Sequence, residues 1–306
     1  MARFRNSTLH DQDDSAVVSD ARELTPRGPS GLIGEILVGL GRMTSEDVER
    51  VLQHQRDKGG RFGEIAVSLE LVTQDDVLFA LSQQFQYPYA PRERRNLSPE
   101  LIALNQPFSF QAEALRAIRS QVLQRLFSDP GEARRAVAVV SADPGDGKTY
   151  FAANLAVMLA QLGGRTLLVD ADMRGPRQHE VFGIENERGL SGVLSGRAEE
   201  QVIQQLTSVP GLFLLPVGVS PPNPLELVER PTFGLLMREM TSKFDYVIVD
   251  TPAAAFGADA TVIAAKCGAA LVVARRNESR VGSLQSLVAS LNDTHTNLAG
   301  VVVNDH

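Results

Sequence analysis

The stretch 135-RAVAVVSADPGDGKTYFAANLAVMLA-160 decides the fold of this chain. Small apolar residues follow its first residue, as in a buried strand, and its second half reads as an apolar helix. Between the two lies a loop that ends in Gly147, Lys148 and Thr149. A strand, a glycine-containing loop and a helix in this order are the context of a phosphate-binding loop. The alternative is a strand-to-helix turn that happens to contain Gly-Lys-Thr.

The groups of this loop suit a nucleoside triphosphate. Glycine lets a backbone approach a ligand closely, so the N–H groups around Gly145 and Gly147 are expected to face phosphate oxygens. Lys148 is expected to be exposed and to reach the β- and γ-phosphates, and the hydroxyl of Thr149 is expected to bind Mg²⁺. The loop therefore predicts a site for ATP with magnesium.

Carboxylates follow two further apolar segments. "TLLVDADMRGP" contains Asp170 and Asp172, and "FDYVIVDTP" contains Asp250. Open α/β sheets bind ligands at the carboxyl ends of their strands, and Mg²⁺ prefers oxygen ligands. A single aspartate here could equally be a helix N-cap, but three beside the same loop favour a metal site.

Short apolar segments recur through the second part of the chain and are rich in Val, Leu and Ala. Runs that are apolar at nearly every position are typical of strands covered on both faces, hence of a parallel sheet. The pattern predicts an α/β fold with a mostly parallel, doubly wound P-loop NTPase sheet, preceded by a small all-helical repeat domain. The predicted strands are 135–142, 165–171, 212–217, 246–251, 269–275 and 298–304.

An internal repeat precedes this domain. "GEILVGLGRMTSEDVERVLQHQ" begins at Gly34, and "GEIAVSLELVTQDDVLFALSQQ" begins at Gly63. Each copy predicts two short helices, and Thr44 and Thr73 are the expected N-caps of the second helix in each copy. The predicted organisation is a disordered arm at 1–30, a helical repeat domain at 31–86, a linker at 87–106 and the ATPase-like domain at 107–306.

Composition limits the cellular setting. The formal net charge of −7 gives no argument for nucleic acid as a partner. Cys267 is the only cysteine, which fits a reducing compartment. The first residues lack the apolar core of a signal peptide, and no apolar run approaches the roughly 20 residues that cross a bilayer. We therefore expect a cytoplasmic protein that reaches the inner membrane through a partner.

Residues 107–306 resemble the cytoplasmic catalytic domain of the bacterial tyrosine kinase (BY-kinase) family. The loop resembles the Walker A motif of that family, "LLVDADMR" its Walker A′ motif and "VIVDTP" its Walker B motif. Ala142 replaces the usual opening glycine, and Asp143 stands where partition and septum-positioning ATPases carry a lysine, as expected for the kinase branch. The resemblance implies ATP and Mg²⁺ as cofactors. It implies catalytic roles for Lys148, Asp170 and Asp172, with the choice of base between the two aspartates open, and metal binding by Thr149, Asp250 and Asp170. It also implies that the nucleotide is bound by Asp143, Pro144, Gly145, Asp146, Gly147, Lys148, Thr149, Tyr150 and Asn304.

A charged helix belongs to the same resemblance. Glu113, Arg116 and Arg119 reproduce the family's E-x-x-R-x-x-R motif, which implies a subunit interface in a homo-oligomer. From the spacing alone, a solvated charged face is the favoured interpretation. The resemblance as a whole implies an ATP-dependent protein tyrosine kinase, an autokinase that regulates exopolysaccharide chain length or export. A non-kinase regulatory ATPase or a nucleotide-responsive docking module is the alternative.

The N-terminal repeat resembles the N-terminal domain of type II secretion and pilus ATPases. Together with the second domain it resembles the soluble exopolysaccharide chain-length-determinant kinases, which implies a membrane chain-length-determinant protein (a polysaccharide co-polymerase) as partner. Some domains of the secretion type bind cyclic di-GMP, and Gly34, Arg61 and Gly63 fit that pattern. Leu32 and Glu70 depart from it, since Arg and Gly are expected there. A protein-docking module is the other interpretation.

The tyrosines raise the question of the phosphate acceptor. Members of the kinase family commonly end in a tyrosine cluster, whereas the last tyrosine of this sequence is Tyr246, inside a predicted strand. Tyr150 is expected to be partly buried after the loop, and only Tyr87 and Tyr89 in the linker are expected to be accessible. The acceptor is therefore on a partner or in the linker, or the protein is a nucleotide-driven switch.

Overall fold

A computed structural model describes residues 33–84, 97–127, 135–197, 201–294 and 296–305. The arm predicted at 1–30 and residues 87–96 of the predicted linker lie outside this part of the chain. Within it, no helix is both long enough and apolar enough to cross a membrane.

The N-terminal repeat folds as four short helices. They are α1 (Ile33–Gly39), α2 (Ser45–Lys58), α3 (Phe62–Ser68) and α4 (Gln74–Gln84). The side chain of Thr44 accepts a hydrogen bond from the backbone of Asp47, and the carboxylate of Asp47 accepts one from the backbone of Thr44. Thr73 and Asp76 repeat both bonds at the start of α4. The predicted caps are thus confirmed, and they fix where the second helix of each copy begins.

A seven-stranded sheet forms the centre of the second domain. Its strands are β1 (Ala136–Val140), β2 (Thr166–Asp170), β3 (Gln204–Gln205), β4 (Leu212–Leu215), β5 (Tyr246–Asp250), β6 (Gly268–Arg275) and β7 (Asn297–Asn304). The strand order is β3-β4-β2-β5-β1-β6-β7, and every pair is parallel except β3 with β4. The predicted parallel sheet is confirmed. The two-residue strand β3 was not predicted.

Helices cover both faces of the sheet. They are α5 (Ile102–Asn105), α6 (Phe110–Leu126), α7 (Lys148–Ala160), α8 (Gln178–Phe182), α9 (Leu190–Leu194), α10 (Pro224–Glu229), α11 (Pro231–Lys243), α12 (Asp259–Cys267) and α13 (Val281–Asp293). Val137 and Val139 face the core that contains α5 to α8, whereas Ala138 and Val140 face the core that contains α9 to α13. This alternation explains why β1 is apolar at every position.

The second half of the predicted linker belongs to the domain core. Leu101, Ala103 and Leu104 are at most 1% exposed and pack with α6 and α7. Asn154 on α7 is fully buried, and its amide binds the backbone of Ala103 and of Glu100. The composition of 87–106 predicts a linker, but its apolar residues 101–104 pack against α6 and α7.

Candidate functional site

The loop between β1 and α7 places two glycines in backbone conformations that other residues rarely adopt. Gly145 and Gly147 have φ angles of +86° and +96°, in the left-handed region where glycine carries no steric penalty. A Cβ atom at Gly147 would also overlap with the amide nitrogen of Asn304. Both glycines are therefore required by the fold of the loop, whatever it binds.

Asp146 and Asn304 hold the loop in place. Asp146 is 2% exposed, and its carboxylate accepts hydrogen bonds from the N–H of Asp143 at 3.1 Å and from the hydroxyl of Ser279 at 2.7 Å. Asn304 donates to the carbonyl oxygen of Asp146 at 3.3 Å. Asp146 thus turns inward to shape the loop, and Asn304 ties the end of β7 to it. The part played by Ser279 was missed, because 133 residues separate it from Asp146.

Lys148 differs from the sequence prediction. It was expected to be exposed, but only 7% of its surface is accessible. It is the first residue of α7 and lies near enough to Asp250 to lower the pKa of that carboxyl. The lysine therefore faces the interior of the site, where an ammonium group interacts more strongly with nearby charges than it does in water.

Asp170 and Asp250 form a buried carboxylate pair. They end the neighbouring strands β2 and β5, are register partners, and are 0% and 1% exposed. Burial raises the pKa of Asp250 to about 6, although hydrogen bonds from Gln178 and Thr149 and the charge of Lys148 lower it. Burial and, after it, the charge of Asp250 raise the pKa of Asp170 well above its usual range. Two carboxylates in this position favour a cation beside them.

Asp170 and Asp172 have different surroundings. The carboxylate of Asp170 accepts the N–H groups of Asp172, Arg177 and Gln178 at 3.0–3.2 Å, so the backbone occupies both of its oxygens. Asp172 is half-buried and accepts the N–H groups of Arg174 and Gly175 through Oδ1 only. Asp172 is therefore the more accessible of the two candidate bases.

Two contacts at this edge of the sheet were not predicted. Arg174 donates to Asp259, which is 2% exposed, at 3.0 Å. Gln178 is fully buried and donates from its amide to Asp250 at 2.8 Å and to the carbonyl oxygen of Thr149 at 3.1 Å. No pattern in the sequence indicates any of these three hydrogen bonds, because the partners are 29 to 85 residues apart.

The residues around Asp250 fit a magnesium ion. Its Oδ1 atom is buried and accepts no hydrogen bond from the described residues, while Thr149 lies close enough to bond to the carboxylate. Within the described ranges, no group of three or more His, Cys, Asp or Glu side chains is arranged to hold a metal ion. Mg²⁺ commonly uses one or two carboxylates together with phosphate oxygens and water, so a site of this kind does not need such a group.

The arginines of the charged helix are held within their own chain. Arg116 donates to Glu113 at 2.6 Å and to the carbonyl oxygen of Pro107. Arg119 donates to the carbonyl oxygen of Met158 on α7 at 3.1 Å. The side chain of Glu113 is 70% exposed. The motif therefore fastens α6 to the domain and presents its acidic end to solvent.

A cleft of about 290 Å³ lies beside the loop, between α6, the start of α7 and the end of β7. Its walls include Phe110, Ile118, Tyr150 and Val302, and Asn304 stands at its rim. Tyr150 is half-buried, and burial followed by the charge of Glu100 raises the pKa of its hydroxyl. Most of the wall is apolar, so the cleft suits a flat ring better than a phosphate group.

The two repeat glycines of the N-terminal domain, Gly34 and Gly63, lie where helices pack closely against each other. A Cβ atom at Gly34 would lie 3.1 Å from Val48, and one at Gly63 would lie 2.5 Å from Val77. Each glycine therefore lets the first helix of its copy approach the second helix. Arg61 is 88% exposed, 3.9 Å from Glu64. Leu32 lies outside the described residues, and binding of cyclic di-GMP stays a prediction.

Comparison with known proteins agrees with this geometry. The family model described as the CobQ/CobB/MinD/ParA nucleotide binding domain matches residues 137–306. The putative tyrosine-protein kinase EpsB of Ralstonia solanacearum is 38% identical over 205 residues, which are 67% of this chain and 27% of that protein. The putative tyrosine-protein kinase CapB of Staphylococcus aureus is 31% identical over 64% of this chain and 86% of its own length. The chain thus spans about a quarter of the length of EpsB but most of CapB.

Solved structures lead to the same family. The kinase domain of the Escherichia coli tyrosine kinase ETK has a TM-score of 0.65 and 31% identity, covering 70% of this chain and 82% of that one. The residues that the family model matches, 137–306, include the loop, the carboxylates and nearly all of the sheet described above. The chain belongs to the bacterial tyrosine-protein kinase family and carries its nucleotide-binding domain.

Proposed function

We propose that this chain is an ATP-dependent protein tyrosine kinase, an autokinase that regulates exopolysaccharide chain length or export. One observation carries the proposal: the lysine and threonine of the phosphate loop converge on the buried carboxylate Asp250, which Asp170 and Asp172 adjoin. The names of the family's relatives support the reaction type.

The residues divide the work of phosphoryl transfer. Backbone N–H groups of the loop and the ammonium of Lys148 would hold the β- and γ-phosphates, Thr149 would bind Mg²⁺ directly, and Asp250 would hold the ion through water. When bound, the ion would neutralise charge on the transferred group. Burial of Lys148 and Asp250 strengthens each of these interactions, because the site has a lower dielectric than water.

Asp172 is the candidate base because it is the more accessible aspartate. It would orient the acceptor tyrosine and take the proton of its hydroxyl group. The bond between the γ-phosphorus and the bridging oxygen breaks, a bond to the tyrosine oxygen forms, and ADP leaves. Tyrosine has an ordinary pKa near 10, so a base and a cation both assist this step.

The setting of the enzyme is part of the proposal. The resemblance of the two-domain chain to chain-length-determinant kinases supports a cytoplasmic protein recruited to the inner membrane by a polysaccharide co-polymerase. It also supports a homo-oligomer in which one subunit phosphorylates its neighbour. Residues 31–86 would then be the docking module, with cyclic di-GMP as a candidate ligand.

A regulatory ATPase without kinase activity is the second candidate. Tyr150 and Tyr246, the two tyrosines that the structure describes, are both half-buried. Tyr246 also packs edge-on against Phe127, with ring centroids 5.2 Å apart. Neither is an accessible acceptor, so nucleotide turnover would serve to switch the protein between docking states.

Incubation of the purified chain with radiolabelled ATP and Mg²⁺ separates the two candidates. The cytoplasmic segment of the membrane partner is added in parallel reactions. Phosphotyrosine supports the kinase, inorganic phosphate alone supports the regulatory ATPase, and the absence of both products in all reactions refutes both. Lys148→Met should abolish turnover in a folded protein, whereas Lys243→Met, at an exposed lysine paired with Glu239, should have no effect.

A further inference from the structure

Gln178 stands where the three motifs of the site meet. It is fully buried at the start of α8. Its backbone N–H donates to Asp170, and its side chain donates to Asp250 and to the carbonyl oxygen of Thr149. One residue thus contacts the phosphate loop and both members of the carboxylate pair.

The orientation of the Gln178 amide follows from its neighbours. Nε2 lies 2.8 Å from Oδ2 of Asp250 and 3.1 Å from the carbonyl oxygen of Thr149. A carbonyl and an ionised carboxylate only accept hydrogen bonds, so the NH₂ group must face them and not the amide oxygen. Both amide hydrogens are then used, and Oε1 has to point elsewhere.

Two acceptors flank this hydrogen bond without a partner of their own. Oε1 of Gln178 and Oδ1 of Asp250 are both buried, and neither accepts a hydrogen bond from any described residue. A buried acceptor without a hydrogen bond destabilises the folded protein, and native proteins rarely contain one. Two such atoms, one on each side of a single hydrogen bond, indicate a ligand that brings donors to this position.

We propose that Gln178 positions the magnesium–nucleotide complex. Its NH₂ group fixes Asp250 relative to the phosphate loop, and its Oε1 atom, together with Oδ1 of Asp250, accepts hydrogen bonds from water in the hydration shell of the ion. Mg²⁺ gives up its water reluctantly and keeps several molecules in protein sites, which makes such outer contacts effective. This inference rests on the proposed function, since it concerns the same nucleotide site.

Replacing Gln178 should affect nucleotide binding differently according to whether the residue positions the ion or only supports the fold. If Gln178 only filled space, its loss would weaken nucleotide binding equally with and without magnesium. If it positions the ion, nucleotide binding without Mg²⁺ stays close to normal and only the dependence on Mg²⁺ shifts. Substitution of a residue that orients a metal ligand typically lowers metal affinity by about 10–100-fold.

The test is a magnesium titration of the full chain with a fluorescent methylanthraniloyl-ADP, which reports binding without turnover. Gln178→Met keeps the volume of the side chain and removes its amide, and Gln178→Ala is a second variant. The matched control is Gln204→Ala on β3, where the side chain of the glutamine donates a hydrogen bond to the carbonyl oxygen of Glu185, away from the site. We expect the Mg²⁺ concentration at half-saturation to rise about tenfold in both Gln178 variants. The control should not change, and affinity without Mg²⁺ should change less than about twofold.

Each other outcome overturns the inference. A Gln178→Met protein with wild-type Mg²⁺ dependence excludes the role, and so does one that loses affinity equally without Mg²⁺. Unfolding of both variants, seen by circular dichroism, would assign Gln178 to the fold instead. A wild-type chain that binds no nucleotide in the presence of Mg²⁺ would refute the proposed function itself, which is a separate result.

Discussion

Replacing Asp250 by asparagine should stabilise the ligand-free protein while it removes magnesium-dependent nucleotide binding. The carboxylate is 1% exposed, beside the fully buried Asp170. Burial is the main reason that its pKa rises from an ordinary 3.8 to about 6. Asparagine keeps an oxygen that accepts the bond from Gln178 and removes the buried charge. The same change removes the charge of Asp250, which helps to raise the pKa of Asp170.

The size of the effect follows from the shift in pKa. An acid with a raised pKa binds more protons in the folded state than in the unfolded state, so the free energy of unfolding falls as the pH rises from 3.8 to about 6 and stays lower above that range. A shift of about two units corresponds to roughly 3 kcal/mol at pH 7.5. At pH 5 the wild-type carboxyl is largely protonated when folded, and the difference should shrink to about half.

Urea unfolding followed by circular dichroism, at pH 7.5 and pH 5 without nucleotide, measures this difference. Asp293→Asn, at an exposed aspartate at the end of α13, is the control and should stay within about 0.5 kcal/mol of wild type. Addition of Mg²⁺ and ADP should stabilise the wild-type protein and leave Asp250→Asn almost unchanged. A variant that is less stable than wild type at pH 7.5, or a gain that does not shrink at pH 5, would refute the reasoning.

Three further predictions concern the self-association of the chain, the tyrosine that accepts the phosphate, and the binding of cyclic di-GMP. Arg116→Ala combined with Arg119→Ala should lower the mass of the protein in light scattering, because both changes alter the charged face proposed as the subunit interface and Arg119 also holds α6 against α7. An unchanged mass contradicts the interface. Tyr87→Phe combined with Tyr89→Phe should remove most phosphotyrosine from an autokinase, and mass spectrometry that finds the phosphate elsewhere would show this expectation to be wrong. Cyclic di-GMP should bind weakly or not at all in calorimetry, with any affinity dependent on the exposed Arg61; tight binding that survives Arg61→Ala would exclude this site.

The sheet could be predicted because its signal is local. A strand buried on both faces is apolar at nearly every position, and five of the six predicted strands are of this kind. The edge strand β7 has the same apolar pattern although Val301 and Val303 are exposed, and all six lie within a few residues of their predicted positions. The strand at 204–205 is too short to produce a pattern. The segment 97–106 was assigned to the linker because its proline- and arginine-rich neighbours dominate the composition. Its place in the core depends on the distant Asn154, which sequence patterns do not reveal.

The site was predictable in its members but not in its electrostatics. Glycine, lysine and aspartate at fixed spacing identify the loop and the carboxylates, since the chemistry of phosphate and magnesium requires those residue types. Burial is a property of the assembled sheet, and the sequence alone does not reveal it. The position of Lys148 in a loop therefore predicts exposure, and nothing in the sequence indicates that Gln178 is buried in the site. Contacts across 72 residues, as between Gln178 and Asp250, arise only when β2 and β5 become neighbours.

The burial that raises the pKa of Asp250 would also favour the proposed reaction on a phosphate. Charges in a low dielectric interact more strongly, so Lys148 and an ion held by Asp250 would stabilise the transferred group better than the same groups could in water. Without a ligand, two carboxylates stay buried in the core, and Oδ1 of Asp250 accepts no hydrogen bond from the part of the chain that the structure describes, which lowers the stability of the protein. Binding of the nucleotide with its cation offsets this cost. The stability of the chain should therefore report directly on the occupancy of the site, and a variant that is stabilised in the absence of ligand should be one that has lost the ability to bind it.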